Sequence, residues 1–186
     1  MDIERDLEAP DVRRVFLHEA SHAVMAMAFG RRVVSVEIDA KAFRGQTSIE
    51  EIPNDSDLNR VRLILLAAAG LAAESIYCHA TGTAEKSFSI GHFKDENDAA
   101  PPLTTLGHAG YFMEYVKIAS VILSDHTYWV PMNFLADLLP EKGFFTNQEI
   151  LQKISKHVPP ISEELLQGIL NGLPRNSPHS GRKFIV

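Results

Sequence analysis

The segment His18-Glu19-Ala20-Ser21-His22 has the residue types of a hydrolytic metal centre. Histidines four residues apart on a helix share one face, about 6 Å apart along the axis, so both imidazoles can bind one metal ion. Glu19 lies about 100° around the helix from His18, where it can reach a water bound to that ion. Zinc makes such a water acidic, and Glu19 would accept its proton and pass it to a leaving amine. The pattern predicts a zinc-dependent peptidase, with two hydrogen-bonded core histidines as the alternative.

A catalytic zinc site also needs a third protein ligand and an open fourth position. Cys78 is the only cysteine, which excludes a cysteine-based zinc site, and we expect it to be a small core residue. Glu74 lies in a largely apolar helix, where a carboxylate needs a partner. Spacing does not decide among the downstream candidates, which are Glu74, His79, Glu85, His92, Asp95, Glu96 and Asp98.

The motif lies in a predicted helix over residues 12–29, which Pro10-Asp11 caps and Gly30 ends. Val33 to Asp39 alternates apolar and polar residues, as a half-buried strand does. A second strand is predicted over Gln46 to Ile52, after a turn at Arg44-Gly45. Either strand could pair with an extended peptide by edge addition, or serve only as the edge of the sheet.

The rest of the chain is predicted to be helical, apart from one irregular stretch. A long Leu- and Ala-rich helix is predicted from Leu58 to about Ala80, and an irregular, functional segment from Thr81 to Pro102. Further helices are predicted over residues 103–124, 128–139 and 147–157, with a short helix after Ser162. The pattern predicts a mostly helical α+β fold: the motif helix, a small sheet with an edge strand, and a closing helical bundle.

The composition describes an ordinary globular chain. Its 186 residues, 45% hydrophobic and 23% charged, suit one domain, which we place at residues 1–157, followed by a short helix and a flexible tail at 158–186. A net charge of −6 gives no sign of nucleic-acid binding. The charged first residues lack a signal-peptide core, and the apolar stretch Val61 to Ala73 is too short to span a bilayer. We therefore expect a cytoplasmic protein with no membrane segment.

Several blocks, in order, resemble the protease domain of the FtsH-type zinc peptidases, a family usually fused to an AAA ATPase. The motif segment, continued by Ala23-Val24, is similar to the family's HEAGHA signature, with Ser21 in place of glycine. Leu66 to Glu74 resembles its LAGRAAEE helix, and Glu96-Asn97-Asp98 falls where the family has its Asn-Asp pair. The strand with Arg44-Gly45-Gln46-Thr47 and the helices between Ala119 and Ile154 extend the likeness over about residues 12–155.

The resemblance implies zinc bound by His18, His22 and Asp98, with Glu19 as the general base. It also implies that Glu74 orients a ligand histidine from outside the ligand set. Asp95 stays the alternative third ligand, because Pro101-Pro102 follow Asp98 where the family continues into helix. The residues that bind substrate are not identified by the likeness.

The family's ATPase half has no counterpart in this sequence, so we expect action on peptides or unfolded chains, or together with a separate ATPase partner. Assembly into a homo-oligomeric ring is implied by the resemblance alone. Two other functions stay open: a catalytically silent module that binds a peptide or partner, and a zinc hydrolase of non-peptide bonds.

Overall fold

The computed structural model describes residues 12–83 and 91–175, apart from the side chains of residues 91 and 92. These ranges form a mostly helical α+β fold with a small antiparallel sheet, which confirms the predicted fold class. The elements are α1 Val12–Ala28, β1 Val33–Asp39, β2 Arg44–Ile49, α2 Asp57–Thr81, α3 Gly91–Leu106, α4 Phe112–Ser124, α5 His126–Leu138, β3 Lys142–Phe145, α6 Gln148–Ser155 and α7 Glu163–Gly172.

Helix α1 runs through the middle of the molecule. Its residues from Leu17 to Ala28 are all buried, because α2, α5 and the strands β1 and β2 pack around it. Gly30 follows in the left-handed conformation, with φ of 70°, and ends the helix as the sequence predicts. The motif therefore lies in the buried part of α1, where neighbouring elements must leave space for each side chain.

The sheet has the strand order β2-β1-β3, with both pairings antiparallel. β1 has the predicted bounds, but the β1–β2 connection differs from the prediction. The reversal is a short 3₁₀ turn at Ala40–Ala42, closed by Phe43 in the left-handed conformation with φ of 49°, and Arg44-Gly45 already belong to β2. β3 was not predicted, since four residues that include a glycine give little strand signal. It covers the second edge of β1, so β1 is the central strand.

Helix α2 forms the core of the helical part. Ser56 caps it by accepting a hydrogen bond from the Asn59 N–H, and α1, α3, α4 and α7 pack on it. Among the described residues it is the one helix long and apolar enough to cross a membrane, by length and composition only. Since 61% of its most apolar window is buried inside the domain, these features are those of a core helix.

The segment predicted to be irregular contains helix α3, which is the largest difference from the sequence-based assignment. Pro101 and Pro102 lie inside it. A proline has no N–H to donate to the fourth residue before it, so these two leave the carbonyls of Asn97 and Asp98 without helical partners. Both residues are exposed, so water can bind these carbonyls. The burial of Ala99 and Leu103 against the core stabilises the helix despite the prolines.

The closing helices α4 to α7 complete the bundle close to their predicted positions. Residues 103–124, however, are divided between α3 and α4 rather than forming one helix. Helix α7 packs on α2 with Leu166 and Leu170 in the common core, so the boundary predicted after residue 157 does not separate it from the domain. The predicted cap Pro10-Asp11, Glu85 and the tail beyond residue 175 lie outside the described residues.

Candidate metal centre

Hydrogen bonds from Nδ1 to helix α2 orient the rings of both motif histidines. His18 Nδ1 lies 2.7 Å from Glu74 Oε1, and His22 Nδ1 lies 2.8 Å from the main-chain oxygen of Leu66. Both partners are acceptors, so each Nδ1 carries the hydrogen and donates it to α2. Each Nε2 is then the nitrogen that faces the cluster and can bind a metal ion in place of a proton. Hydrogen bonds of this kind fix the tautomer and the ring orientation of histidines that bind metals.

Asp95 of α3 supplies the third donor atom. Its Oδ2 lies 3.1 Å from His18 Nε2 and 3.3 Å from His22 Nε2, and all three side chains are buried. Two zinc–ligand bonds of about 2.0–2.1 Å at a tetrahedral angle place their donor atoms about 3.3–3.4 Å apart. Asp95 Oδ2 is buried and has no hydrogen-bond partner in the described part of the chain. Three converging donor atoms, one of them a buried carboxylate oxygen, fit a bound cation.

The structure brings Asp95, not Asp98, to the histidines. Asp95 lies on the stripe of α3 that continues through the buried Ala99, Leu103 and Leu106, whereas Asp98 is exposed and lies at the rim of the adjoining cavity. Among the described residues, those close enough together to hold a metal ion are therefore His18, His22 and Asp95, the alternative to the Asp98 that the family likeness implies. Of the other candidates, His79 and Glu96 are exposed outside the cluster, and Glu85 and the His92 side chain are not described.

The electrostatics of the cluster favour positive charge at the histidines. Burial lowers the pKa of His18, but Asp95 and Glu74 outweigh it and raise that pKa to about 10. Burial likewise opposes a charged His22, yet Asp95 leaves its pKa raised. The pKa of Asp95 is lowered by both histidines, although its burial acts in the other direction. These shifts have one cause, the opposite charges that Asp95 and the two histidines place on one another, and a metal ion bound there would have to replace the protons on the histidines.

Glu19 is held beside the cluster by the edge strand β2. The Thr47 hydroxyl lies 2.8 Å from Glu19 Oε2 and 2.9 Å from the Glu19 main-chain oxygen, so its hydrogen can be donated to either. Gly45, two residues earlier, faces the same carboxylate: a Cβ there would lie 2.4 Å from Glu19 Cγ. Strand β2 thus both orients Glu19 and leaves it the space that only glycine allows.

Gly70 of α2 makes the corresponding space for His18. A Cβ at this position would lie 2.3 Å from His18 Cε1 and 2.4 Å from Nε2, closer than any real contact. The ring cannot move away without losing its hydrogen bond to Glu74. An isolated glycine within a Leu- and Ala-rich helix usually has a packing reason, and here the reason is the imidazole.

We expect Gly70→Ala to weaken metal binding and to destabilise the fold. Overpacking a tight interior costs about 1–3 kcal/mol, which in a chain of this size lowers the melting temperature by roughly 2–4 °C per kcal/mol. Thermal unfolding with and without zinc measures both effects. Gly168→Ala is the matched control, because nothing lies within 4 Å of its Cβ and α7 exposes it. That change should stabilise the helix slightly, and equal losses in both variants would contradict the assigned role of Gly70.

The cluster opens into a cavity of about 210 Å³ between β2, α2 and α3. Its polar lining includes the two motif histidines, Glu19, Asp95 and the cation Lys94. Its apolar lining includes half-buried residues of β2 and α2, namely Ile49, Leu63 and Leu66. The cavity has room for one side chain and the bond beside it, but not for a folded domain. A ligand placed there would contact the three donor atoms and Glu19 together.

Sequence reasoning did not single out three residues of the site. Thr47 and Gly70 were noted only within blocks of family likeness, and Arg14 was not noted at all. Arg14 lies four residues before His18, hence on its face of α1, and a buried arginine there needs a buried acid. That spacing could have paired it with Glu74, to which it donates hydrogen bonds. The polar Ser21 side chain is also satisfied inside the helix, because its hydroxyl donates a hydrogen bond to the His18 main-chain oxygen at 2.6 Å.

Comparison of the sequence with protein-family models gave no match, and comparison with curated proteins gave none either. The functional argument therefore rests on the geometry of the site.

Proposed function

We propose that this protein is a zinc-dependent metallopeptidase that hydrolyses peptide bonds in peptides or unfolded chains. One observation carries the proposal: His18 Nε2, His22 Nε2 and Asp95 Oδ2 converge beside the carboxylate Glu19 in an open cavity. Two imidazoles and one carboxylate are a donor set that suits catalytic zinc and leaves a fourth position free. Zinc bound there supplies a Lewis acid that polarises a peptide carbonyl and makes a water acidic near neutral pH.

In this proposal the protein's own residues position the water and move the proton. Glu19 accepts a proton from the attacking water and donates it to the amine that leaves when the carbon–nitrogen bond breaks. Thr47 fixes the orientation of Glu19, and Glu74 and the Leu66 carbonyl fix the two histidines. A catalytically silent binding module would not need a base held so firmly next to the donor cluster.

Strand β2 is the better of the two candidate strands for holding a substrate. The central strand β1 pairs on both sides from Val36 to Asp39, whereas β2 pairs with β1 alone in the described sheet. β2 also borders the cavity along residues 45–49. An extended peptide added to β2 would run past Glu19, with apolar side chains against Leu63 and Leu66. Main-chain pairing of this kind gives broad sequence tolerance, and a folded protein would first need unfolding, for instance by a separate ATPase partner.

The test is the zinc content and peptidase activity of protein purified without chelator or polyhistidine tag. We expect about one zinc per chain, and cleavage of a labelled, permanently unfolded protein that stops with chelator and returns with added zinc. A stably folded protein carrying the same label should resist cleavage. Zinc binding without hydrolysis would favour the binding module, and no zinc at all would leave the histidines with a structural role.

A further inference from the structure

Arg14 forms a buried chain of contacts that leads to the donor cluster. Its Nη2 and Nε lie 2.6 Å and 3.2 Å from the same oxygen, Glu74 Oε2. The other oxygen, Glu74 Oε1, lies 2.7 Å from His18 Nδ1. The Arg14 side chain is 8% exposed and that of Glu74 is completely buried. One carboxylate therefore joins a guanidinium on α1 to an imidazole one turn further along the same helix.

We propose that Arg14 is a positioning residue of the metal site, acting through Glu74 on His18. The inference rests on the proposed zinc site. It extends the contact between His18 and Glu74 to a further residue, Arg14. By occupying Oε2 with two donors, Arg14 leaves Oε1 as the only oxygen directed at His18. Rotation of the carboxylate would break both contacts to Arg14, so the carboxylate orientation is fixed by the guanidinium fork.

Arg14 also compensates part of the negative charge buried around the site. Buried charges need partners, and three carboxylates surround the site: Glu19, Asp95 and Glu74. A divalent ion together with Arg14 carries as much positive charge as these three carry negative charge. Without Arg14 the loaded site would hold a buried carboxylate with no guanidinium beside it, and Glu74 would no longer be held in the orientation that fixes the His18 ring.

The experiment measures zinc affinity by competition with a chromophoric chelator, for the wild type and for Arg14→Met. We expect binding 10–100-fold weaker in the variant, the range typical of residues that orient metal ligands. Arg14→Lys should recover part of the loss, because it restores the charge without the fork. Replacing zinc by cobalt should show a changed visible spectrum in Arg14→Met, which reports ligand geometry independently of activity.

Arg13→Met is the matched control. Arg13 is the preceding residue on α1, but its guanidinium contacts Asp137 and Asn133 of α5, away from the donor cluster. Its replacement should leave zinc affinity and the cobalt spectrum unchanged. An equal loss in both variants would reduce Arg14 to a general support of α1, and an Arg14→Met affinity within twofold of wild type would overturn the proposal.

A double variant covers the case in which Arg14→Met alone does not fold. Arg14→Met combined with Glu74→Gln removes both buried charges, and its zinc affinity should be no weaker than that of Glu74→Gln alone, because Arg14 acts through Glu74. A further loss in the double variant would contradict that route. If the wild type binds no zinc, the proposed function fails; if it binds zinc and hydrolyses unfolded protein but Arg14→Met matches it, only this inference fails.

Discussion

Replacing Glu19 by glutamine should lower peptide hydrolysis by about 10²–10⁴-fold, the usual contribution of a general acid–base residue. Glutamine keeps the size of the side chain and can still accept the Thr47 hydrogen bond, but it cannot take a proton from the attacking water. Zinc content should stay close to that of the wild type, because Glu19 is not among the three donor residues. The loss should appear in kcat rather than in KM.

Glu37→Gln is the control for this substitution. Glu37 is an exposed residue of β1, so the same chemical change there should alter neither zinc content nor activity. Activity that survives Glu19→Gln would mean that another group accepts the proton. Loss of zinc together with activity would instead show that Glu19 helps to hold the metal.

Replacing Asp95 by alanine should weaken zinc binding by more than the 10–100-fold typical of residues outside the ligand set. Asp95 contributes the only negatively charged donor atom of the cluster and the oxygen that faces both Nε2 atoms. Equilibrium dialysis or chelator competition measures the affinity, and activity at limiting zinc should fall in parallel.

Asp98→Ala separates the two carboxylates that the sequence left as alternatives. Asp98 lies one turn further along α3 at the exposed rim of the cavity, so its loss should leave zinc affinity close to wild type. The reverse ranking, with Asp98→Ala the more damaging change, would place the metal nearer the cavity mouth and contradict the cluster described here.

The sequence by itself determined the parts of the site that lie close together along the chain. The histidine spacing and Glu19 depend only on helix geometry, and the Gly30 stop and the alternation of Val33 to Asp39 are local signals with one interpretation. The long apolar helix that carries Glu74 followed from its composition. These features were predictable because residues near in sequence are near in space whatever the rest of the fold does.

Only the tertiary structure decided which acid completes the cluster and how the parts are held. Local rules predicted an irregular segment up to the proline pair and a helix only after it, yet α3 runs through both prolines because its apolar stripe is buried on the core. That continuation places Asp95 on the inner face and Asp98 at the rim. The central position of β1 likewise depended on β3, a strand too short to predict alone. The close approaches at Gly45 and Gly70, and the chain from Arg14 to His18, join residues distant in sequence, so only packing could establish them.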